Sequence, residues 1–224
     1  MATQIGAIQP RQINFRIQGN ADWLDGLLIW QALAGGVIPG SANVGNGTVT
    51  VSSVDPSAML GAHTLGVTSL AGGQTYITSS DPNGSVTGKG AVGLPLYAGG
   101  ITLSVARGAV AFAAGDSFAI GVLPGPIDIT GLRFVLQVRA AKTSAVVLFE
   151  ADSAPVTGDP MIATGGTAGS IAMAVPQEVL AASRLAQSGS GTYFHDILAV
   201  DPASGRKVVA FYGSLEFDNG VTLI

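Results

Sequence analysis

The chain has no cysteine. That excludes a disulfide framework and any thiolate metal site, and leaves packing, strand pairing and assembly as sources of stability. Charge is scarce as well, because Asp, Glu, Lys and Arg make up 11% of the residues, less than half of the roughly 25% usual in globular domains. With 10 Lys+Arg against 14 Asp+Glu and a net charge of -4, there is no basic surface to neutralise a phosphate backbone, so nucleic acid is not an expected partner. Long hydrophobic runs are missing too. Stretches 26–54 and 90–106 carry no charged side chain but are broken by Gly, Pro, Asn or Ser, whereas a bilayer helix needs about 20 mostly apolar residues. No membrane association is expected. The first 15 residues lack the apolar block of a secretory signal, which points to synthesis in a cytoplasm.

What the chain does have is glycine, 32 residues, and proline, 11, together with a mean hydropathy of +0.47. High apolar content with few charges is explained if neighbouring subunits cover part of the surface. Homo-oligomerisation is therefore expected.

Period-two alternation marks strands with one buried face. Ile13, Phe15 and Ile17 alternate with polar residues, and Leu132, Phe134, Leu136 and Val138 form the clearest such run. Residues 23–33 read as a second strand, with a short helix as the alternative. Breakers at Gly35-Gly36, Pro39-Gly40 and Gly45-Asn46-Gly47, and again at Pro124-Gly125-Pro126, bracket a segment of short strands at 48–54, 62–69, 75–79, 85–92, 101–105 and 117–122. Asp81-Pro82-Asn83-Gly84 and Asp201-Pro202-Ala203-Ser204-Gly205 read as turns between strands. Further strands are expected at 146–151, 171–175, 193–200, 207–212 and 214–217, and one helix at 176–186, where Pro176 and Glu178 are start signals.

The reading is all-β: two sandwich-like or barrel-like domains with one short helix. A discontinuous domain takes residues 1–40 and 125–224, and a module at 41–124 is inserted into one of its loops.

Gly19-Asn20-Ala21-Asp22-Trp23, Pro126-Ile127-Asp128-Ile129-Thr130-Gly131, Phe134 to Arg139, Tyr193-Phe194-His195-Asp196-Ile197 and Gly213-Ser214-Leu215-Glu216-Phe217 together resemble small phage structural proteins, in particular the N-terminal domain family of the phage baseplate upper protein. The insert, through its Asp-Pro-Asn-Gly turn and Ala111-Phe112-Ala113-Ala114-Gly115-Asp116, resembles a module of lambda-type head decoration proteins. It departs from that module at Gly93 to Tyr97, where Pro95 is unexpected. The resemblance implies a tailed-phage virion component that binds other virion proteins and itself. It implies no cofactor.

Chemistry is thinly represented. His63 and His195 have no second ligand at metal-like spacing, and the adjacent Asp196 points to the opposite face of a strand, so no metal is expected. Gly88-Lys89-Gly90-Ala91-Val92-Gly93 matches a dinucleotide fingerprint as text, but no helix follows to receive a pyrophosphate. Asn46-Gly47-Thr48 and Asn83-Gly84-Ser85 fit a glycosylation pattern and read better as turns. No catalytic residue is proposed. Trp23, Trp30, Tyr76 and Tyr97 are the candidates for interface or ligand contact, including stacking against a host-surface glycan.

Overall fold

A computed structural model describes residues 4–71 and 74–220. The first segment gives β1 (Arg11–Gln12), β2 (Phe15–Gln18) and β3 (Trp23–Leu28). The middle gives β4 (Trp30–Pro39), β5 (Thr48–Val54), β6 (Gly61–Ala71), β7 (Gln74–Ser80), β8 (Val86–Ala91), β9 (Pro95–Ala98), β10 (Ile101–Ala106) and β11 (Ser117–Pro126). The last gives β12 (Arg133–Arg139), β13 (Phe149–Asp152), β14 (Ile162–Thr164), β15 (Ser170–Val175), α1 (Gln177–Ala182), α2 (Arg184–Ser188), β16 (Gly191–Val200) and β17 (Lys207–Asp218). The fold is all-β, with strands in several sheets and only short helices.

The chain divides into two compact units, Met1–Trp30 with Pro126–Ile224, and Gln31–Gly125. In the first unit a six-stranded sheet runs β1-β17-β16-β12-β13, with β2 also on β17, and a three-stranded sheet runs β14-β15-β3. Both contribute to one core. Phe134, Leu136 and Val138 of β12, Met173 and Val175 of β15, and Leu215 and Phe217 of β17 are all buried in it, as alternation requires of a sheet with one covered face.

Strand β17 pairs antiparallel with β16 but parallel with β1 and β2. Between those two parallel contacts the Ile13 carbonyl presses against Gly213, where a Cβ would lie 1.8 Å from that oxygen. Only glycine admits the approach. The same carbonyl accepts a hydrogen bond from His195 Nε2 at 3.0 Å.

In the second unit a three-stranded sheet, β5-β10-β9, and a five-stranded sheet, β4-β11-β6-β7-β8, share a core that includes Leu65, Ile77, Ile101, Leu103, Ile120 and Val122. Pro95 opens β9, an edge strand, where a missing N–H costs no ladder bond. The Asp81 turn forms as expected, with Asp81 Oδ1 accepting from Asn83 and Ser85 N–H, each at 2.9 Å. In the first unit Asp201 does the same for its turn, accepting from Ala203 N–H at 3.0 Å and Ser204 Oγ at 2.5 Å.

Several features differ from the sequence reading; among them, the strands expected at 207–212 and 214–217 are one continuous strand, β17. Division between the units falls at residue 30 rather than near 40, because Ala32 is buried in the second core, β4 lies beside β11, and Gly40 N–H donates to the Ser117 carbonyl at 2.8 Å. Gly35 and Gly36 lie within β4 and do not end it. The expected strand at 23–33 is two strands, separated at Ile29, whose N–H turns to Gly169 O at 2.8 Å. The expected helix at 176–186 is broken at Ser183, which is extended and accepts from Ala186 N–H at 3.2 Å as an N-cap.

Candidate functional site

The four aromatic candidates have different fates. Trp23 is 3% exposed and belongs to the core, edge-on to Phe15 at 5.2 Å, with its indole N–H donating to Asp25 at 2.7 Å. It is therefore not available for outside contact. Trp30 is half-buried beneath the Arg11 guanidinium, 3.2 Å from the ring centre, and its carbonyl accepts from Arg11 at 3.3 Å. Tyr76 and Tyr97 of the second unit are exposed. Tyr97 donates to Asp55 Oδ2 at 2.7 Å, and that bond, followed by the carboxylate's charge, pushes the phenol above its ordinary range.

Tyr76 stands in a shallow groove on the outer face of the five-stranded sheet, with Thr68, Thr78, Val86, Lys89 and Leu94 around it, enclosing about 760 Å³. Val86 and Leu94 are exposed. Tyr97 lies on the other sheet, in β9, outside this groove. The structure thus does not gather the four rings into one platform.

The first unit has a groove that sequence reading missed. On the outer face of the six-stranded sheet, Phe194, Val209 and Tyr212 form an apolar floor, and Arg139, Lys142 and Asp196 stand around it, enclosing about 300 Å³. That volume is at the small end of the range for ligand pockets. Arg139 donates to Gln137 Oε1 and lies 3.6 Å from Asp196, while its Nε is buried with no hydrogen-bond partner. The Lys142 ammonium sits 5.4 Å from the Phe194 ring centre, within cation–π range. The only trace of this groove in the sequence was the alternation that sends Phe194 and Asp196 to the face opposite His195.

His63 and His195 are both buried. Each uses Nε2 on a backbone carbonyl, of Met59 at 2.8 Å and of Ile13 at 3.0 Å, and each leaves Nδ1 without a partner. Burial pushes the His195 imidazole below its ordinary value, against the opposing pull of the Ile13 carbonyl and Asp196. Among the described residues no group of three His, Asp or Glu is placed to hold a metal, and no helix is long and apolar enough to cross a membrane. Gly88 and Gly90 lie in β8, and the next element is β9, so no helix N-terminus faces that loop.

No protein-family model and no curated protein matches the chain. Among solved structures it is similar in part to FlgL of Xanthomonas campestris in two crystal forms. One has a TM-score of 0.31 at 21% identity, covering 44% of this chain and 33% of that one. The other has a TM-score of 0.32 at 18% identity, covering 50% and 34%. The chain spans about a third of the length of FlgL, and neither likeness bears on function.

Proposed function

We propose that this chain is a non-enzymatic structural protein of a tailed-bacteriophage virion, an accessory tail or baseplate adaptor assembled in the host cytoplasm. It acts through contacts with other virion proteins and with copies of itself. The observation that carries this reading is the exposure of large apolar side chains in both units: Leu24 at 70% and Val156 at 95% in the first, Ile38 at 69% and Leu94 at 61% in the second. Such side chains in so sparsely charged a chain are best explained by surfaces that neighbours cover. The motifs at 126–139, 193–197 and 213–217 add the resemblance to baseplate proteins. The resemblance of the insert favours placement on the head as a decoration protein, which is the alternative location.

In this reading the discontinuous unit binds the particle and the inserted unit is an accessory. The two ends of the insertion support that division, since Ile127 N–H donates to Ile29 O at 3.0 Å and the chain can be closed there with little strain. Particles made with a chain in which residue 30 is joined to 126 through a short Gly-Ser linker should still incorporate it. Loss of incorporation, with the shortened chain still folded, would refute the division.

A second reading has one observation in its favour. Tyr76 is exposed beside Thr68, Thr78 and Lys89, an aromatic face bordered by hydroxyls of the kind that stacks on sugar rings. Saturable binding on a glycan array, abolished by Tyr76→Ala, would establish a host-glycan adhesin. The structural reading expects no such binding.

A further inference from the structure

We infer that the groove formed by Arg139, Lys142, Phe194 and Tyr212 receives the 153–160 loop of a second copy of this chain, joining copies head to tail. This rests on the self-association part of the proposed function and makes no use of where on a particle the protein sits.

The loop is a knob anchored at its base. Its ends are tied together by Met161 N–H donating to Asp152 O at 3.0 Å, and its base is pinned by Ser153, whose N–H donates to Phe134 O at 2.9 Å and whose Oγ accepts from Phe134 N–H at 2.8 Å. Beneath it lies the Arg133–Asp152 ion pair. On this rigid base the loop presents Val156, at 95% exposure the most exposed large apolar side chain among the described residues, with the exposed carboxylate of Asp159 three positions on. An apolar side chain this exposed is costly to leave in water and gains by burial on docking.

The groove is complementary to that knob in polarity and charge. Its floor is apolar, and its rim has two cations, Arg139 and Lys142, against one acid, Asp196. A net positive rim is unusual in a chain with only 10 basic residues and a net charge of -4. An apolar side chain followed by a carboxylate satisfies floor and rim together.

Strand register places knob and groove at opposite ends of one sheet. Asp152 pairs with Val135, and Phe194 pairs with Arg139. The two rows are four residues apart along β12, about 13 Å at the rise of a strand, with the loop leaving at the Arg133 end. Val156 does not fill its own groove, as its exposure shows. Two different patches that fit one another make a heterologous contact, which closes into a ring or runs on as a filament.

Sedimentation velocity on the full chain tests this. Wild type should form concentration-dependent oligomers. Lys142→Glu and Asp159→Lys should each weaken association about tenfold or more, the double variant K142E/D159K should recover most of it, and Val156→Asp should weaken it without being rescued. All three positions altered here lie at exposed side chains, and a thermal melt of each variant confirms folding. An oligomer indifferent to these substitutions would overturn this surface while leaving self-association standing. A wild-type chain that stays monomeric at every concentration would overturn self-association as well.

Discussion

Asp116→Ala is expected to unfold the Gln31–Gly125 unit well before the other unit, splitting the thermal melt into two transitions of which only one moves. Asp116 is 2% exposed, and its carboxylate accepts three backbone hydrogen bonds, from Val44 at 2.7 Å and from Gly45 and Ala113 at 2.9 Å each. Burial alone would raise its pKa, but the three N–H donors outweigh burial and hold it below the ordinary carboxylate range. The bonds tie the segment entering the unit to the segment leaving it, more than seventy positions apart for Val44 and Gly45. Asn43 and Ser117 brace the same junction with a reciprocal pair at 2.8 Å. Alanine would leave three N–H groups without an acceptor, at about 1 to 3 kcal/mol each when buried. A total of about 3 kcal/mol would lower the transition by about 12 °C or more for a domain of this size. Differential scanning calorimetry reads both transitions directly. A single transition falling as a whole would show that the units do not melt independently.

Arg133→Met should produce the largest loss in the other unit. Asp152 is 5% exposed, and its partner's side chain is 37% exposed, so the guanidinium is partly screened while the carboxylate is not. Two bonds from Arg133 Nε, at 2.9 and 3.0 Å, and a third from Nη2 converge on that carboxylate. Removing the cation leaves a buried charge held by backbone N–H groups alone, chiefly that of Ala154 at 2.8 Å. Breaking a buried pair costs about 3 to 5 kcal/mol, and partial exposure of the arginine brings the expected value below that range, to about 2 to 3 kcal/mol.

The pH dependence follows from the direction of the shift. The bond from Arg133, more than any other influence, holds Asp152 below its ordinary value. A depressed folded-state pKa means stability that is fully present above the unfolded value of about 3.9 and lost as pH falls through the folded one. Urea melts should therefore show a wide gap between wild type and Arg133→Met at pH 7 that narrows below about pH 4. A gap that stays constant with pH would assign the loss to packing of the arginine stem.

Local chemistry was legible in the sequence and long-range pairing was not. Alternation in β12 identified Phe134, Leu136 and Val138 as core, and all three are fully buried. The Asp81 and Asp201 turns were readable because a carboxylate caps N–H groups within four residues of itself. Ser183 was visible as a residue but not as a break, since its capping role depends on which conformation the chain takes there. Alternation assigns a face without naming the neighbour. Nothing in it predicts that β1 and β2 run parallel to β17, or that Arg139, Phe194 and Tyr212, far apart in the chain, line one groove. Trp23 and Tyr97 were alike as candidates, yet one is core and the other exposed, because aromatic identity alone does not distinguish packing from display.

Quantitative mass spectrometry of gradient-purified phage particles, from a lysate that contains this chain, tests the proposed virion role. The chain should co-purify with the particles in a fixed ratio to the major capsid or tail protein and survive a high-salt wash. Its absence from purified particles, with the chain abundant in the infected-cell lysate, would contradict a structural role in the virion.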